Sequence, residues 1–335
     1  MVLLGVSAAL MPLSARSASM RDGAGRAFEL PGAITRVFPA SMPAALMLNA
    51  LAPEMMPGWP RALAATEQAF LGAGSAAKPE LGRLLRADGS LYLEGLLKLL
   101  PHLVLDIGLL NPLMLETASR IQEHTAIPYA VFDGRLEALP ETFRQLGALL
   151  GRPSRAAELA RVCEETLQAC RMRLANLPKG PRPRVYYARG ATGLETAGSM
   201  ALATETLRFM GADLVATMSD PGLKTVSLAE VRGWNPDIII TPDRSFKARV
   251  MQDAAWQPVK AVARGRVHLA PDAPFSWLDF PASINRLPGL WWLGKVLYPS
   301  FFQEDLSAIT RNLYTLFYHA TPSPLRLAEI LEGTT

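Results

Sequence analysis

Between Pro153 and Pro181 the apolar positions Leu159, Cys163, Leu167, Cys170, Leu174 and Leu177 recur every three or four residues, which lines them along one stripe of an α-helix. Ser154 is placed to cap the first turn, while Pro178, Gly180 and Pro181 forbid continuation. At 1.5 Å per residue the run from Arg155 to Leu177 makes a rod of roughly 35 Å, long enough to join two lobes. On both sides of it the chain repeats one grammar: a short apolar run, a loop with Pro or Gly, then an amphipathic helix. Before the rod, strands at 34–38, 103–107 and 128–132 alternate with helices at 44–51, 91–100, 112–124 and 141–150. Beyond it, strands at 184–187, 237–241 and 267–269 alternate with helices at 201–210, from Ser227 onward, and at 245–252. Helices near 281–297, 304–318 and 325–331 close the chain. The unbroken apolar character of Leu103-Val104-Leu105 and Ile238-Ile239-Ile240 fits parallel strands covered on both faces. The predicted fold is α/β: two doubly wound lobes, residues 33–152 and 182–335, joined by one long helix over 153–178. A cleft is expected between the lobes, at the C-terminal ends of the strands. Residues 21–32 read as an N-terminal tail.

Composition agrees with two packed cores: 335 residues, 50% hydrophobic and 19% charged, exclude a disordered chain. The net charge of +4 and pI near 9.2 come without a dense Lys/Arg run, so nucleic acid is not the expected partner and an anionic ligand is. Residues 1–18 form an apolar run ending in Ala15-Arg16-Ser17, a small-x-small pattern that predicts a signal segment and periplasmic export. The basic start of such a segment is missing, so the signal is truncated or atypical; a frayed apolar terminus is the alternative. Cys163 and Cys170 would lie roughly 10 Å apart on the helix, beyond disulfide reach, and read as buried fillers. Of the four histidines, His102 and His124 fall at helix ends and His319 in the tail, which argues against a site for a bare Zn²⁺ or Mn²⁺. No G-x-S-x-G, phosphate loop or G-x-G-x-x-G occurs. The chain is therefore not expected to be an enzyme, an unrecognised inter-lobe active site being the different-class alternative.

Several stretches, in this order on either side of the long helix, carry a resemblance. They are the βα unit over 34–51, Leu93-Glu94 with Pro101-His102-Leu103-Val104-Leu105, Ser227 through Asn235-Pro236-Asp237-Ile238-Ile239-Ile240, Pro274-Phe275-Ser276-Trp277-Leu278-Asp279, and Arg286-Leu287-Pro288-Gly289-Leu290. The chain resembles the helical-backbone class of periplasmic substrate-binding proteins of ABC importers, which receive ferric siderophores, haem, cobalamin and, in one branch, molybdate or tungstate. That resemblance implies a monomeric receptor with no cofactor of its own. It would capture a small-molecule metal chelate, in first place a ferric (Fe³⁺) siderophore, and deliver it to an inner-membrane ABC permease. Molybdate, tungstate, a corrinoid or haem are the alternatives within the class.

The family's docking carboxylates correspond to Glu94 on the first lobe and, one position out of step, to Glu230 on the second; as capping-box partner of Ser227, Glu230 has an equally good local role. The family's first loop often has Ser or Thr followed by Glu, and here reads Ser41-Met42-Pro43. Trp277 is expected to cover a flat chelate from its loop, the alternative being a core tryptophan. Arg83, Arg189 and Arg286 are expected to bring guanidinium forks to an anion, with a phenol from Tyr187. On this reading, Trp277 and Arg83 face one shared hollow.

Overall fold

The computed structural model describes residues 18–30, 32–85, 88–218 and 222–332. Of the expected signal segment, residues 1–17 lie outside the described residues.

The first element is a hairpin where the sequence suggested only a tail. Strands β1 (Ala18–Arg21) and β2 (Ala27–Leu30) pair antiparallel. Their turn is fixed by Asp22, whose carboxylate accepts the Ala24 and Arg26 amides and, from across the lobe, the Val131 amide at 3.2 Å. The hairpin is thereby laid along the first-lobe sheet. That sheet contains β3 (Val37–Pro39), β4 (Leu103–Gly108) and β5 (Tyr129–Asp133), all parallel, in the order β3-β4-β5. Ser41 caps helix Met42–Leu51 and Asn111 caps helix Pro112–Thr125, each followed within two residues by a proline that favours the first helical turn.

The second lobe has its own parallel sheet of β6 (Arg184–Tyr187), β8 (Asp213–Leu214), β10 (Ile238–Thr241) and β11 (Val267–Leu269), ordered β11-β10-β6-β8. A small antiparallel ribbon of β7 (Glu195–Ala197) and β9 (Leu223–Thr225) stands beside it.

Helix Pro153–Ala175 joins the lobes, with Leu159, Cys163, Leu167 and Cys170 buried along one stripe. Its start differs from expectation: Arg152 is the N-cap, no side chain bonds there, and Pro153 itself opens the helix, so Ser154 already lies in the first turn. The helix packs tightly against helix Leu139–Leu149. A Cβ on Gly147 would come within 2.2 Å of the Ala156 Cβ, so only glycine permits this approach.

The division of the chain needs one correction. Helix Met42–Leu51 is buried on every side, which demands cover on the flank away from its sheet. Helix Leu306–Tyr318, expected in the second lobe, supplies it: Phe317 stacks on Phe143 with ring centroids 6.0 Å apart, and His319 meets the Asn49 carbonyl at 2.8 Å. Helix Pro324–Leu331 packs on that helix in turn, while helix Arg286–Leu297 lies against the bridging helix. One core consequently runs from the first lobe past the bridge to Tyr187 and Ile240 of the second sheet.

Candidate functional site

Parallel strands aim their C-terminal ends, and the loops that follow, at one edge of a sheet, where ligands of open α/β folds sit. Here that edge opens on a cavity of about 920 Å³ between the lobes. Leu109, just past β4, and Arg135 and Glu137, just past β5, face Met200, Glu205, Arg208 and Phe209 of the second lobe.

Among the described residues, each charged wall residue but one is neutralised by a neighbour. Arg135 is held by the Asp133 carboxylate, which raises its pKa, and its side chain remains 61% exposed. Glu137 pairs with Arg171 of the bridging helix, whose guanidinium also lies 5.3 Å from the Phe209 ring centroid. Glu205 opens helix Glu205–Phe209; it accepts the Leu136 amide at 3.0 Å and pairs with Arg286. Arg208 is the exception. Its Nη1 reaches the Met200 sulfur at 3.8 Å, its Nε is buried without a hydrogen-bond partner, and it has no ion pair among the described residues. Among the described residues, the cavity therefore holds one surplus cation against walls that are largely apolar, with Met200 62% exposed.

The residues singled out in the sequence fare unevenly. Arg286 is fully buried, bonded to Glu205 and to the Gly134 carbonyl at 2.5 Å, and cannot touch a ligand. Burial lowers its pKa, against the opposing pull of Glu205. Trp277 is fully buried too: its indole N–H donates to the Tyr314 hydroxyl at 2.8 Å beneath helix Leu306–Tyr318, so it is a core residue and not a cover for a chelate. Tyr187 is buried with its hydroxyl donating to Asp279 at 2.7 Å, and burial holds its pKa well above the ordinary value. Arg189 pairs with the same Asp279, leaving its own Nε buried and unpartnered. Tyr187 and Arg189 are thus brought together, though by an acid that the sequence did not mark out. Ser41 caps its helix and donates to the Ile107 carbonyl at 3.3 Å, next to Asp106, whose pKa is raised by burial. Arg83 is exposed on a first-lobe loop and does not line the cavity. Trp277 and Arg83 thus face no shared hollow.

Arg208 and Glu205 went unmarked because local spacing gives them only a place in a short helix; the partner that matters, Arg286, is remote in sequence. Glu94 and Glu230 are both exposed, one on each lobe. Glu94 pairs with Lys98 at 2.6 Å, which lowers its pKa through the hydrogen bond, and Tyr92 donates to it at 3.4 Å. Glu230 closes a capping box, accepting the Ser227 amide and hydroxyl, each at 2.7 Å, and those bonds lower its pKa. Among the described residues, no three His, Cys, Asp or Glu side chains converge to hold a metal ion.

Comparison with known proteins agrees with this architecture. The solute-binding protein of an ABC transporter from Sulfurospirillum deleyianum superposes with a TM-score of 0.85 at 26% identity, over 94% of this chain and 99% of that one. The molybdate-binding protein MolA of Haemophilus influenzae is 32% identical over 155 residues, which span 45% of this chain and 43% of MolA. The structure of MolA bound to molybdate superposes with a TM-score of 0.73 at 22% identity, over 92% of this chain and 99% of that one, a likeness of fold. A model of the periplasmic binding protein family matches residues 67–274, most of the chain, and the protein belongs to that family.

Proposed function

We propose that the protein is the substrate-binding component of an ABC importer, working outside the cytoplasmic membrane as a monomer, and that it carries a negatively charged metal chelate in the inter-lobe cavity. The observation that carries this reading is Arg208: a guanidinium with an unpartnered Nε at the wall of a cavity of about 920 Å³. A guanidinium left without a counter-charge favours a carboxylate, catecholate or oxyanion guest. The apolar walls supplied by Leu109, Met200 and Phe209 favour a guest with an organic body, and a ferric siderophore meets both demands. A second reading, bare molybdate, is favoured by the 32% identity to MolA. Glu94 and Glu230, carboxylates exposed on separate lobes, are the proposed grips for the permease.

Purifying the protein from its native cells, without refolding, and identifying the co-purified guest by mass and elemental analysis tests this. Iron with an organic chelator supports the siderophore, and molybdenum without one supports the second reading. A guest that the protein chemically converts would overturn both in favour of an enzyme.

A further inference from the structure

Glu205 presents a problem in a cavity built for an anion, because it places a second negative charge on the wall. Its Oε2 accepts both the Leu136 amide and the Arg286 guanidinium. Arg286, 0% exposed against 14% for Glu205, also donates to the Gly134 carbonyl and, through Nε at 3.2 Å, to the Ser283 carbonyl. One buried guanidinium thus ties the end of first-lobe strand β5, the second-lobe helix Glu205–Phe209 and the loop before helix Arg286–Leu297. Arg208 lies one helical turn from Glu205. The contact that anchors Glu205 therefore also sets the posture of Arg208.

We propose that the Glu205–Arg286 pair tunes the cavity's affinity for anions from beneath: Arg286 cancels the charge of Glu205 and, through it, positions Arg208. Both are positioning residues, and the inference rests on the anion reading above. A charge within a few ångströms of a guest, in a half-open cleft, changes affinity by a few-fold to tenfold at low salt, and less as salt rises. Glu205→Gln keeps the side chain's shape and one acceptor while deleting the negative charge. Anions should then bind about threefold to tenfold more tightly, with the gain shrinking as salt is added. Arg286→Met bares the carboxylate and should weaken binding about threefold to tenfold, and combining it with Glu205→Gln should return affinity to within about threefold of the starting protein.

The test is calorimetric titration of each purified variant with sodium molybdate and, separately, with a ferric tris-catecholate, alongside Arg208→Ala. A purely structural clasp predicts the opposite sign: Glu205→Gln would bind no better than the starting protein and the double variant would stay as weak as Arg286→Met. Either result overturns the proposal, and loss of binding in Arg208→Ala would show that the anion reading survives it. If the unaltered protein binds neither probe, the anion reading falls and this inference with it. Should Arg286→Met fail to fold, the sign of the Glu205→Gln effect decides alone.

Discussion

Replacing Trp277 separates a core residue from a ligand wall. The indole is fully buried, its N–H donates to the Tyr314 hydroxyl at 2.8 Å, and the two rings meet edge-on with centroids 6.5 Å apart. The Trp277 carbonyl is pressed so closely on helix Arg286–Leu297 that a Cβ at Gly289 would stand 2.0 Å from it. Trp277→Phe removes part of a fully packed ring system and one hydrogen bond. The Tyr314 hydroxyl keeps its own acceptor, the Ala273 carbonyl, so no buried donor is orphaned and the hydrogen-bond loss sits at the low end. Cavity formation dominates, and the total comes to about 3 kcal/mol of lost stability. Urea unfolding followed by far-ultraviolet circular dichroism should show that loss as a lower midpoint, while titration with a bound anion should give an affinity within about twofold of the unaltered protein. Unchanged stability with affinity reduced tenfold would refute the core assignment and return Trp277 to the ligand.

Two further outcomes follow from the geometry. His268 on β11 has both ring nitrogens buried without partners, and burial, aided by Lys247 and Arg266, lowers its pKa from 6.5 to about 4. The unfolded chain then binds more protons between those values, so this contribution is complete above pH 6.5 and is lost as pH falls toward 4, on the order of 3 kcal/mol. His268→Phe should lack this fall in urea midpoint, and parallel pH profiles for the two proteins would count against it. Glu94→Arg should abolish transport of the ligand in cells while leaving ligand affinity unchanged, because the side chain is 58% exposed and is not part of the cavity lining; normal uptake by a normally delivered variant would remove Glu94 from the docking role.

What could be read from the chain is what depends on near neighbours. The strands Leu103–Gly108 and Ile238–Thr241 announce themselves because burial on both faces leaves no polar alternation. The bridging helix does so through its stripe, and the capping box at Ser227 and Glu230 through a fixed spacing. What could not be read depends on contacts between remote segments. The β1-β2 hairpin exists because Asp22 finds the Val131 amide 109 residues away. Helix Leu306–Tyr318 crosses to the first lobe because a helix buried almost throughout there needs cover, a demand invisible from the second lobe's own sequence. Arg208 and Arg286 are the same residue type, each within a helix, and only the partner of each decides which faces the guest. Trp277, among prolines and serine, has the local look of an exposed loop and is buried because a later helix roofs it.

Arg208 is where the account is most exposed to experiment. Calorimetric titration of the Arg208→Ala variant, beside the unaltered protein, with ferric tris-catecholate and with molybdate asks directly whether the cavity is an anion receptor organised on the Arg208 guanidinium. One-to-one binding of at least one probe, weakened about tenfold or more by the substitution at unchanged stability, is the predicted result. Equal affinity in both proteins would contradict it.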